Sequence, residues 1–107
     1  MKNLEKHSKN IMKKTVMRLY HDTEYSVIEN NVAFNKEACT NVIYTRLTVR
    51  YPFMKCNLTY DYITEMTDVF SQYLNDKLTV NQYHASMKKL LDMLAYRFRH
   101  ANELYLD

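Results

Sequence analysis

Glycine is absent from this chain of 107 residues and proline occurs once, as Pro52. The missing glycine excludes whole classes of chemistry. Phosphate-cradling loops, dinucleotide fingerprints and strained nucleophile turns all need a residue without a side chain at fixed places, to reach left-handed angles or to touch the ligand. Tryptophan is also absent. No apolar run approaches the roughly 18 residues that would mark a membrane span. The opening Met1-Lys-Asn-Leu-Glu-Lys-His7 lacks the apolar segment of a secretory signal, so a cytoplasmic location is expected. Only two cysteines occur, Cys39 and Cys56, in no paired redox or metal-ligand spacing, and they are expected to stay reduced and buried.

The composition that remains is that of one globular domain spanning 1–107, with 47% hydrophobic and 25% charged residues. A chain of this size holds a single core without disulfides or metals. Its net charge of +3 is small but unevenly spread. Residues 1–20 carry Lys2, Lys6, Lys9, Lys13, Lys14 and Arg18 against Glu5, whereas residues 57–76 carry Asp61, Glu65, Asp68 and Asp76 with no lysine or arginine.

Helical periodicity dominates the sequence. Thr79-Val-Asn-Gln82 reads as a capping box, with Leu78 placed to staple onto Tyr83. Downstream, Tyr83, Met87, Leu90, Leu91, Leu94, Phe98, Ala101 and Leu104 form one apolar stripe. A second stripe runs through Tyr62 or Ile63, then Met66, Val69, Phe70, Tyr73 and Leu74 to Asn75-Asp76, where asparagine can take the left-handed cap that glycine usually fills. Leu4, Ile11, Met12, Thr15, Val16 and Leu19 predict a first helix from about residue 3 to 20. Asn35-Lys-Glu-Ala38 can open another, with Ala38, Cys39, Val42, Ile43 and Leu47 on its buried face. Residues 46–51 also alternate as a strand would, with Leu47, Val49 and Tyr51 on one side and Arg46, Thr48 and Arg50 on the other. The expectation is an all-α, or nearly all-α, bundle of about four helices, with a helix to about 45 and a short extended segment near 46–52 stopped by Pro52.

Lys2, Lys6, Lys9 and Lys13 fall at helical spacing and form a basic strip. Asp61, Glu65 and Asp68 form an acidic strip at the same spacing, so the two are expected either to face each other in the bundle or to stay solvated. No Glu-x-x-His or His-Glu-x-x-His step supplies metal ligands, and His7, His21, His84 and His100 are scattered. No nucleophile, acid/base pair or cofactor loop is visible, so neither an enzyme nor a cofactor is expected. Ten tyrosines and seven methionines suit an adaptable contact surface. Tyr44, Arg46, Arg50, Tyr51 and Phe53 are the candidate partner-binding residues, being aromatic or basic in a segment hard to bury whole. The expected role is a stoichiometric binder that occludes a partner, and the expected partner is another protein.

Two resemblances bear on this role. Arg46-Leu-Thr-Val-Arg-Tyr-Pro52 followed by two helices resembles the ribbon-helix-helix repressors, in which paired strands of a dimer read the major groove. That resemblance implies DNA contacts by Arg46, Thr48 and Arg50, with Lys6, Lys9 and Lys13 on phosphates and a homodimer as the binding unit. The chain departs from the family's pattern in the long segment before the strand, the late start of the next helix and the missing glycine between the helices. Phe70-Ser-Gln-Tyr-Leu-Asn-Asp-Lys-Leu-Thr-Val-Asn-Gln-Tyr83 is similar to the helical hairpin of small bacteriocin or toxin immunity proteins, which implies a cytoplasmic helical protein that shields a target by binding it.

Overall fold

A computed structural model describes the backbone of residues 2–106 and the side chains of residues 7–96. Four helices follow one another: α1 (Lys2–Glu29), α2 (Lys36–Arg50), α3 (Asn57–Leu74) and α4 (Val80–Leu106), with a 3-10 turn at Pro52–Met54 between α2 and α3. Side-chain pairs fix their directions. Arg50 reaches Thr15, Lys36 reaches Asp68, Tyr83 stacks on Tyr73 and Lys13 pairs with Asp92, so each helix runs against its neighbours in the cyclic order α1, α2, α3, α4. This is an up-down-up-down bundle of the expected all-α class. Its longest dimension of 45 Å follows from the two long outer helices, since 28 residues rise about 42 Å.

The core draws on every helix at spacings of three and four. Met12, Val16 and Tyr20 come from α1, Cys39, Ile43 and Leu47 from α2, Ile63, Met66 and Phe70 from α3, and Tyr83, Met87, Leu91, Leu94 and Ala95 from α4. Met54 of the 3-10 turn closes the end between α2 and α4. Phe70 sits among three aromatic neighbours, with ring centroids 5.2 Å from Tyr20, 5.6 Å from Phe34 and 6.1 Å from Tyr83.

The helix ends solve the problem that a chain without glycine must solve. At the end of α3, the Asp76 N–H donates to the Tyr73 carbonyl (3.1 Å) and the Lys77 N–H to the Gln72 carbonyl (2.9 Å), which is a Schellman closure. It is Asp76, with φ of 60°, that takes the left-handed angle, while Asn75 stays at φ of −92° as the cap. Asn31, with φ of 53°, does the same after α1. The capping box of α4 forms both of its bonds, Gln82 N–H to Thr79 Oγ1 (3.1 Å) and Thr79 N–H to Gln82 Oε1 (2.9 Å). Asn35 caps α2 by accepting the Ala38 N–H at 2.9 Å.

Two expectations are corrected here. The first helix continues to Glu29, because nothing in 21–29 breaks it and Glu24 accepts the Tyr73 hydroxyl at 3.1 Å. Residues 46–50 are helical, not extended, and among the described residues there is no strand. A lone strand would leave its backbone groups unpaired, whereas the helix satisfies them internally and puts Leu47 on the same buried line as Cys39 and Ile43. The Tyr51 N–H still bonds the Leu47 carbonyl at 2.8 Å, so the chain leaves the helix only at Tyr51, whose φ of −127° and ψ of 79° lie outside the α region that a following proline disfavours. Among the described residues no helix is long and apolar enough to cross a membrane.

Candidate functional site

The outer side of α2 is the most distinctive surface. Its core line of Cys39, Ile43 and Leu47 repeats every four residues, which leaves Ala38, Val42, Thr45 and Val49 about 130° round the helix from it. All four are exposed, Val42 by 51% and Val49 by 75%. Their steps of four, three and four are those of a helix seam that packs against another helix. Three are β-branched, a choice that lowers helix propensity where no packing compensates. The stability of α2 therefore does not account for them.

Beside this stripe a groove runs between α1 and α2. It consists of two adjoining hollows of about 220 and 170 Å³ that share Thr23, Ser26 and Val42. One end is closed by the Val32–Asn35 segment, and the other is bounded by Asp22 and Arg46. Cys39 lies on its floor, where burial raises the thiol pKa against the opposing effect of hydrogen bonds from Thr67 and Thr23. A protonated thiol at neutral pH is a packing group, not a nucleophile. Cys39 and Cys56 are not joined in a disulfide, and Cys56 is half-buried where burial was expected of both.

Three arginines stand near this edge against one groove carboxylate, Asp22. Arg46 and Arg50 are exposed on α2, and Arg18 is exposed on α1 one turn before Asp22. Among the described residues none of the three arginines belongs to an ion pair. Arg50 lies 5.5 Å from the Tyr51 ring centroid and its Nη1 is 3.5 Å from Thr15 Oγ1, contacts that leave its charge uncompensated.

The candidate partner-binding residues are divided by the structure. Arg46 and Arg50 stand at the surface beside the stripe, one helical turn apart. Tyr51 and Phe53 are half-buried against the core, with their rings 6.0 Å apart, and Tyr44 lies on the α3 side of α2, edge-on to Tyr60 at 5.2 Å. The row Arg46, Thr48, Arg50 is not formed as a strand face. Thr48 is buried and returns its hydroxyl to the Tyr44 carbonyl at 2.8 Å, as a threonine within a helix does. Val42 and Ala38, assigned by periodicity to the buried face, are exposed instead.

The charged strips do not face each other either. Lys13 pairs with Asp92 of α4, and Asp68 pairs with Lys36 of α2 at 3.0 Å. Lys9 is half-buried, while the side chains of Lys2 and Lys6 lie outside the described residues. The Lys13–Asp92 pair borders a hollow of about 240 Å³ between α1 and α4, floored by Met17, Met87 and Leu91. This hollow is smaller than the roughly 300 Å³ at which small-molecule sites begin, and its own carboxylate compensates one of its lysines. Among the described residues no group of three His, Cys, Asp or Glu side chains is placed to hold a metal ion.

Set against known protein families, curated proteins and solved structures, the chain matches none of them. Its surface chemistry is the available guide to its role.

Proposed function

We propose that this chain is a cytoplasmic protein-binding module that acts stoichiometrically, covering a surface of its partner as an inhibitor, immunity or small regulatory protein does. The observation that carries the reading is the exposed stripe of Ala38, Val42, Thr45 and Val49 alongside an apolar groove. Among the described residues, five of the nine large apolar side chains that stand exposed, Tyr25, Ile28, Val32, Val42 and Val49, fall in the last turns of α1, the following loop and α2. Such clustering, with arginine at its rim, is the composition of an interface core: apolar groups supply affinity and the charges orient the encounter.

The test is affinity capture from a lysate of the source cells with the wild type and with Val42→Gln/Val49→Gln, each with a nuclease-treated arm. Glutamine keeps helix propensity and removes the apolar surface, so both proteins should melt at the same temperature within a few degrees. The expected result is one protein recovered at near-stoichiometric yield by the wild type, resistant to nuclease and reduced on the order of tenfold by the double substitution. Equal recovery by both proteins would remove the stripe from the binding surface. Recovery of nucleic acid that high salt releases would favour DNA binding through the arginines instead.

A further inference from the structure

Resting on the reading just given, we infer that the partner engages this protein with an amphipathic α-helix whose flank facing Arg18, Arg46 and Arg50 is acidic. The stripe from Ala38 to Val49 covers three turns of α2, about 16 Å, so the partner helix needs at least about 12 residues. The 4-3-4 spacing offers ridges that mesh with a second helix, and the small and β-branched side chains let it approach closely. A strand has nothing to join, because the described residues contain no sheet edge.

Charge selects the partner's flank. Arg46 lines the groove beside the stripe, Arg50 is exposed one helical turn further along α2 and Arg18 is exposed on α1, while Asp22 is the one carboxylate among the residues lining the groove. A helix bearing glutamate or aspartate there gains attraction that a basic helix lacks. The same arginines disfavour a second copy of this chain. The stripe is symmetric about a point between Ile43 and Tyr44, and a two-fold axis there keeps each flank on its own side. The two Arg46 residues would then meet within about 8 Å along the helix axis, with like charges on one flank.

The experiment uses fluorescence anisotropy with 18-residue helical peptides that share one leucine and alanine stripe and carry either glutamate or lysine on the flank, plus a scrambled glutamate peptide. They are titrated against the wild type, Val42→Gln/Val49→Gln and Arg46→Glu/Arg50→Glu at low and high salt. The glutamate peptide is expected to bind the wild type about fivefold to tenfold more tightly than the lysine peptide, the sum of two exposed charge pairs. High salt should narrow that difference, and the arginine reversal should invert it. Val42→Gln/Val49→Gln should abolish binding of both.

Equal binding of the glutamate, lysine and scrambled peptides, or no binding of the glutamate peptide at millimolar concentration, would overturn the inference. So would binding that survives Val42→Gln/Val49→Gln. Sedimentation that shows a dimer in the wild type, lost on that same substitution, would also overturn it by making a second copy the occupant. Failure of the flank preference leaves the binding role standing if lysate capture still depends on Val42 and Val49; unchanged capture removes the role itself.

Discussion

Tyr20 ties α1 to α3 across the centre of the bundle, and removing its hydroxyl tests whether that tie holds the fold. The side chain is 0% exposed, its ring lies 5.2 Å from that of Phe70, and its hydroxyl is bonded at both ends. It donates to the Ile63 carbonyl at 3.2 Å, which leaves the Thr67 hydroxyl, 2.8 Å away and 1% exposed, as its donor. Tyr20→Phe keeps the ring and removes that acceptor, leaving the buried threonine the weaker Cys39 thiol beside it. A net hydrogen bond is worth about 1 kcal/mol and a stranded buried group costs about 1–3 kcal/mol. Thr67 recovers part of this by turning toward the carbonyl four residues earlier, as helical threonines do, so the expected loss is about 1–2 kcal/mol. At this chain length that lowers Tm by roughly 4–12 °C. Thr67→Val in the same background leaves no polar group stranded, so the double variant should be less destabilised than the sum of the singles by about 1 kcal/mol. Urea unfolding followed by far-ultraviolet circular dichroism reads all three values, with the exposed Tyr25→Phe as a control expected within 0.5 kcal/mol of wild type. A neutral Tyr20→Phe, or additive singles, would refute the tie.

Asp76 holds a left-handed angle that costs a side-chain-bearing residue about 1 kcal/mol, so Asp76→Gly should stabilise the protein by about 0.5–1 kcal/mol despite the added freedom of the unfolded chain; a lower Tm would mean that its side chain contributes more than its backbone costs. Burial raises the pKa of Tyr20, Tyr83 and Tyr73, with Glu24 adding to the effect at the last two. Tyr20 and Tyr83, the two buried tyrosines, stay protonated in the folded state where the unfolded chain ionises, so stability is fully present below pH 10 and falls above it, by about 1.4 kcal/mol per pH unit for each of these two. Absorbance at the tyrosinate band should rise in two stages, the second coinciding with loss of helix. One smooth rise that precedes unfolding would contradict the burial of these hydroxyls.

The elements legible in the sequence were those written in local chemistry. The capping box at Thr79-Gln82 and the stripes through Ile63, Met66, Phe70 and through Tyr83, Met87, Leu91, Leu94 appear as read, because a cap and a helical period need only neighbours within a few residues. Residues 46–51 were ambiguous because Leu47 satisfies both a period of two and a period of four. The tie is broken by the absence of a strand partner, which is a property of the whole chain. Tyr20 was missed for a related reason: a tyrosine reads as a rim residue until its acceptor and donor, 43 and 47 positions away, are known. Of the candidate site, the exposed charge of Arg46 and Arg50 was legible and the half-burial of Tyr44, Tyr51 and Phe53 was not, since each packs against partners from other elements.

The division of α2 into two faces separates stability from recognition. Cys39, Ile43 and Leu47 face the core, and nothing the core requires acts on Ala38, Val42, Thr45 and Val49. Free of packing, those positions would favour alanine, lysine, glutamate or glutamine, each a better helix former than valine or threonine by up to about 0.5 kcal/mol. Retaining β-branched residues there makes α2 slightly less stable than its length allows. Under the binding role proposed above, an exposed surface that costs stability and presents apolar groups to water is accounted for by a bound state in which those groups are covered. The same inward face that holds α2 in place gives the outward face its rigidity, so under that proposal a partner would meet a stripe already in its bound shape, with little ordering cost left to be met on association.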